Sequence, residues 1–148
     1  MRVMMMLKAD KNSEAGTPPT REHMAEMSKL VEDMAKAGVL LAADGLQPSA
    51  KGKRIAFSGG KITSVTDGPF TETKELIAGF CMIQAKSWEE VMDWSKRFAA
   101  IQGHGESELR PLFDPSDFCG DVFPAEDAAR EQALRDELQR KAGKAATY

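Results

Sequence analysis

Residues Arg2-Val3-Met4-Met5-Met6-Leu7-Lys8 form an apolar run with no polar residue between its charged ends. A strand with one wet face alternates apolar and polar side chains; this run does not, so it predicts a strand that needs cover on both faces. Gly79-Phe80-Cys81-Met82-Ile83-Gln84-Ala85 is nearly as continuous. Each run takes part in a strand–helix–strand pattern, over residues 2–46 and 79–113, with a hairpin region between. Two such units in a chain of 148 residues predict a ferredoxin-like α+β sandwich, βαβ–hairpin–βαβ. Two helices cover only one face of an antiparallel sheet. A large apolar patch rarely stays exposed, so the second face calls for another copy of the same sheet, which makes the chain a homodimer with a barrel-like core. A pocket between sheet and helix, or a covering tail, are the alternatives.

The first helix is expected after the polar loop 9–19, with Thr20 as N-cap and Gly38 just past its end. Met24, Met27, Leu30, Val31 and Met34 recur at helical spacing and read as core packing. Strands are expected at 39–48, 54–58 and 61–66, the last two joined by Gly59-Gly60 as a hairpin. Ser87-x-x-Glu90 is a capping box that opens the second helix, whose inner face is Trp88, Val91, Trp94, Ser95 and Phe98. A final strand is expected over 107–113.

Beyond it, residues 114–124 are irregular, with Phe118, Val122 and Phe123 expected to pin the segment to the domain. Residues 125–144 have helix composition and four acid-to-base pairs at i,i+4: Glu126/Arg130, Glu131/Arg135, Asp136/Arg140 and Glu137/Lys141. The apolar side of this helix is thin, mainly Leu134 and Leu138, which predicts a solvated helical extension.

Composition narrows the function classes. The net charge of -3 argues against direct nucleic-acid binding, which needs a basic face. Two cysteines, Cys81 and Cys119, exclude a disulfide framework and a cysteine-rich zinc site, and two histidines without ligand spacing make no metal site. The run at 3–7 is too short for a signal-peptide core and no window approaches a membrane span, so the expectation is a cytoplasmic protein without a membrane partner. No phosphate loop or nucleophile elbow is present, and no cofactor is expected.

The densest group of ionisable residues is Asp67-Gly68-Pro69-Phe70-Thr71-Glu72-Thr73-Lys74-Glu75. Asp-Gly-Pro makes a turn, with Asp67 expected to cap it and Phe70 to plug the core. Arg54 and Arg110 lie on expected strands, where an inward arginine needs a carboxylate such as Asp67 or Glu72, or a ligand anion.

This stretch, with Gly38-Val39-Leu40-Leu41-Ala42-Ala43-Asp44-Gly45-Leu46-Gln47-Pro48, Lys51-Gly52-Lys53-Arg54 and Glu108-Leu109-Arg110-Pro111, resembles the YCII-related family, in particular its DGPF-domain branch. The resemblance covers about residues 1–118, which sets the expected division: a YCII-related/DGPF domain over 1–118 and a C-terminal helical tail over 119–148. It implies a dimeric α/β barrel. Members are mostly uncharacterised, and some are encoded beside or joined to extracytoplasmic-function sigma factors. In the smaller YciI-like branch a helix histidine and an aspartate are the proposed active pair; the matching positions here hold Met27 and Lys36, so that pair is not carried over. His23 lies one helical turn before Met27 and can project from the same face. His104, between glycines, reads as loop.

Two functional expectations follow. In the first, a small polar molecule binds in a pocket near the DGPF turn, with Glu72, Lys74, Glu75, Arg54 and Arg110 as binding residues and Asp67 and His23 as proton carriers. In the second, the chain is a non-catalytic dimeric regulatory module, linked through its family neighbours to sigma-factor-regulated transcription.

Overall fold

The computed structural model describes residues 1–145. The last three residues of the expected tail lie outside them. The chain divides after Pro111 into two compact units.

In the first unit the elements run β1 (Arg2–Lys8), α1 (Lys11–Glu14), α2 (Arg21–Lys36), β2 (Leu40–Gly45), β3 (Lys53–Ser58), β4 (Lys61–Asp67), β5 (Ile77–Gln84), α3 (Trp88–Gln102) and β6 (Ser107–Pro111). Single 3-10 turns stand at Ser49–Lys51 and Thr73–Glu75. The main sheet has the order β2-β5-β1-β6 and every neighbouring pair is antiparallel. That is the ferredoxin-like order, so the expected fold class holds. β3 and β4 form a separate two-stranded hairpin inserted between β2 and β5. Its tip is Gly59-Gly60, with φ of 58° and 76°, a turn that only glycine enters without strain.

The two apolar central strands divide their side chains as their pleat dictates. Val3 and Met5 of β1 and Ile83 of β5 are buried with Leu30 and Met34 of α2, Val39, Ala85 and Val91 of α3. Complete burial of Val3, Ile83 and Val91 is worth roughly 1.5–3 kcal/mol each. Met4 and Met6 point the other way, level with Met82 and Phe80 of β5, and all four are half-buried. The two long helices, α2 and α3, pack on the first face.

Three local expectations change. The stretch read as loop holds α1, closed by a capping box in which Asp10 and Ser13 bind one another's backbone N–H at 2.8 Å. Met24 is 50% exposed, so the core stripe of α2 begins at Met27. Trp88 is also exposed; it occupies the first position of α3, and the inner face is Val91, Trp94, Phe98 and Ile101. α2 and α3 are tied by an ion pair between Asp33 and Arg97, and Arg97 stacks on Trp94 at 4.8 Å. Arg97 holds the Asp33 carboxyl below its ordinary range.

In the second unit Phe113, Phe118 and Phe123 form a chain of ring contacts at 5.1 and 5.9 Å, so these aromatics pack on each other. α4 (Ala125–Ala145) follows. Leu134 and Leu138 are exposed, as the thin apolar stripe predicts. Glu131–Arg135 and Glu137–Lys141 form as expected. Arg130 instead reaches Asp127, and Arg140 donates to the Asp136 carbonyl. The chain's charge is also placed by this division. Residues 1–111 hold fifteen acids and fifteen bases, and the excess of three acids lies beyond them.

Candidate functional site

The DGPF turn, Asp67 to Phe70, leaves the end of β4 and folds back on the loop that enters β3. Gly68 donates its N–H to the Gly52 carbonyl at 3.1 Å. A β-carbon on Gly68 would stand 1.8 Å from the Ser49 carbonyl oxygen, so the two backbones touch where any side chain would collide. The Ser49 hydroxyl accepts the Phe70 N–H at 3.1 Å. It donates in turn to the Glu14 carboxylate, which also takes the Ser49 N–H at 3.1 Å. Glu14 thus reaches from α1 to brace the turn from behind. Sequence reading missed both Glu14 and Ser49. The Asp10-x-x-Ser13 capping signature was the signal for α1, and nothing local pointed to its partner thirty-five positions away.

Arg54 stands on the hairpin with its guanidinium carbon 4.1 Å from the centre of the Phe70 ring. The side chain is exposed and makes no ion pair among the described residues. The ring therefore fixes one face of the guanidinium while its N–H donors remain available.

Asp67 is exposed and ion-paired with Lys53. The register explains this choice. Lys53 faces Asp67 across the hairpin, whereas Arg54 faces Thr66 and projects from the opposite side. The expected pairing of Asp67 with an arginine is therefore not made, and Asp67 does not cap its turn. Phe70 is half-buried beneath Arg54, not a core plug. Glu72 precedes the 3-10 turn Thr73–Glu75, and its carbonyl accepts the Glu75 N–H at 3.0 Å. The side chains of Glu72, Lys74 and Glu75 are exposed around this turn.

Arg110 lies on β6, on the four-stranded sheet and not on the hairpin. It is exposed and 3.8 Å from Glu108, two residues away on the same face. Glu108 also takes a hydrogen bond from Lys8 at 2.9 Å, and Lys8 holds its carboxyl below the ordinary range. Arg110 thus has its nearest carboxylate on its own strand, in an exposed pair. His23 is half-buried in the first turn of α2, where its N–H is capped by the Thr20 hydroxyl at 3.2 Å. His104 is an exposed loop residue. Among the described residues no group of three or more His, Cys, Asp or Glu is arranged to hold a metal ion. A cavity of about 300 Å³ lies in the second unit, lined by Phe113, Pro115, Phe118, Phe123, Glu131 and Arg135 among others. No residue of the DGPF turn lines it.

The YCII-related domain family matches residues 1–114. The chain belongs to this family. An uncharacterized protein of Rhizobium meliloti (strain 1021) is 34% identical over 90 residues, 60% of this chain and 72% of the relative. Among solved structures, the 5-chloro-2-hydroxyhydroquinone dehydrochlorinase (TftG) from Burkholderia phenoliruptrix AC1100, in complex with 2,5-dihydroxybenzoquinone, is similar at a TM-score of 0.42 and 11% identity. That similarity covers 80% of this chain and 100% of TftG. In this YCII-related chain no helix among the described residues is long and apolar enough to cross a membrane.

Proposed function

We propose that this YCII-related domain works as a homodimer that binds a small polar anion at the DGPF turn, with Arg54 as the anchor. One observation carries the reading: a guanidinium braced on the Phe70 ring, solvent-facing and without an ion pair among the described residues. A planar fork held on one face presents paired N–H donors at fixed angles, which matches a carboxylate or similar oxyanion. Lys74, Glu72 and Glu75 border the turn and supply a polar rim for the rest of the molecule. Gly68, Ser49 and Glu14 keep Phe70 in place and so keep the guanidinium in place. The dimer is supported by Met4, Met6, Phe80 and Met82 on the sheet face opposite the helices, a soft apolar patch suited to a second copy.

A second reading, a dimeric regulatory module that binds without chemistry, is favoured by the Lys53–Asp67 pair, which neutralises the carboxylate of the turn. Asp67→Asn separates it from an enzymatic role: a folded variant that binds but no longer turns over its ligand makes Asp67 a proton carrier.

A thermal-shift comparison of benzoate with benzamide, and of succinate with succinamide, tests the binding site. The acids are expected to raise the melting temperature and the amides to leave it unchanged. Equal shifts for acid and amide, or none, would remove the anion site.

A further inference from the structure

We infer that the anion held at Arg54 is one end of an elongated dianion, whose other end reaches Lys61 at the tip of the β3–β4 hairpin. The inference rests on the anion site proposed above and names the class of molecule it takes: a polar chain with an anionic group at each end, of the kind an extended acidic peptide presents.

A slip in the hairpin's register assembles the surface. Arg54 faces Thr66, Ile55 faces Val65 and Ala56 faces Ser64. Unbroken alternation would next place Ile62 on the side of Arg54 and Lys61 on the side of Ile55. Instead Phe57 faces Ile62 and Ser58 faces Lys61, with Thr63 as the extra residue. A bulge of this kind re-aims the side chains beyond it. Here it turns Ile62 to the apolar face and Lys61 to the face of Arg54. That second face then carries Arg54, Thr66, Ala56, Ser64, Ser58 and Lys61, which is two cations, three hydroxyls and no carboxylate. All of them are exposed. Asp67, the one acid of the two strands, lies on the other face and pairs with Lys53. Neither Arg54 nor Lys61 has an ion pair among the described residues.

Spacing and chemistry define what fits. Ser58, the partner of Lys61, is four positions from Arg54 on β3, so the two cations stand about 13 Å apart along the strand. The Arg54 end is fixed, because Phe70 braces its guanidinium at 4.1 Å. Lys61 is a flexible point charge that adjusts to what the arginine holds. A small monoanion meets one of them only. An extended peptide rises along its axis as the strand does, so acidic side chains four positions apart span the same gap. Between the ends, the hydroxyls of Thr66, Ser64 and Ser58 both donate and accept, which suits a chain of amides and not an alkyl chain.

Calorimetric titration of three end-blocked, five-residue peptides into the full chain at low ionic strength tests this. The first has aspartates at both ends with serines between, the second has two adjacent aspartates, and the third has one aspartate. The first is expected to bind about three- to tenfold more tightly than the other two. Lys61→Ala is expected to remove that advantage and Lys61→Arg to keep it. Equal affinity for the first two peptides in the wild type, or an advantage that survives Lys61→Ala, overturns the dianion; the Arg54 anchor stands if Arg54→Ala still weakens all three. Arg54→Ala without effect on any peptide overturns the anchor and the dianion together. Binding of benzoate but of none of the peptides overturns the dianion alone.

Discussion

The carboxylate of Glu14 holds both the hydroxyl and the backbone N–H of Ser49, and through Ser49 it reaches the N–H of Phe70. A four-residue helix, a 3-10 turn and the DGPF turn are thereby one hydrogen-bonded unit. Ser49→Ala removes the hydroxyl from both bonds and leaves the Phe70 N–H without it. The expected loss is about 1–3 kcal/mol of unfolding free energy, read by urea denaturation. Glu14→Gln, which keeps the shape, should cost less than Ser49→Ala. A neutral effect of Ser49→Ala would mean that the turn is held by other contacts.

Gly68→Ala drives a β-carbon into the Ser49 carbonyl, 1.8 Å away, so backbone has to move. Overpacking of this kind is expected to cost about 1–3 kcal/mol. Gly45→Ala is the control: nothing lies within 4 Å of its β-carbon, and its effect should stay within about 0.5 kcal/mol. Equal effects at the two glycines would refute the close approach.

The cysteines should separate by accessibility. Burial pushes the Cys81 thiol up to about 11, whereas Cys119 is exposed. A thiol reagent at mildly alkaline pH is expected to modify Cys119 quickly and Cys81 only after denaturation. Modification of both at one rate in the native protein would contradict the packing of β5.

Stability should fall on the acid side through Glu108. Its pairing with Lys8 lowers its folded pKa, so the contribution is complete above the ordinary value of 4.5 and is lost as pH falls through the lower folded value. Glu108→Gln should flatten the pH–stability curve in that window relative to wild type, and Lys8→Met should do the same. Unaltered curves in both variants would show that the pair contributes nothing.

Much of the fold was legible because its signals are local. Near-continuous apolar runs at 2–8 and 79–85, an N-cap at Thr20, a capping box at Ser87 and paired glycines at a hairpin tip each decide their own element. The strand order then follows from two βαβ units. The candidate site was legible only in part. Asp67-Gly68-Pro69-Phe70 stood out as a motif, and Arg54 as a strand arginine, but their partners were misassigned. Asp67 meets Lys53 because of hairpin register, and Arg54 meets an aromatic ring because the turn folds back beneath it. Arg110 was grouped with the turn, yet its strand places it beside Glu108. Such contacts depend on where loops cross in space, and no spacing along the chain encodes them.

Arg54 carries the central claim, and calorimetric titration of benzoate into wild type, Arg54→Ala and Arg54→Lys tests it most directly. The guanidinium's exposed contact with Phe70 is worth only about 0.5–1 kcal/mol, so Arg54→Ala should remain folded with a nearly unchanged melt. The account predicts saturable binding to wild type, weakened at least about tenfold in Arg54→Ala and to an intermediate degree in Arg54→Lys, where charge remains but the fork is gone. Equal affinity for all three proteins, or no binding of the carboxylate to wild type, would contradict it.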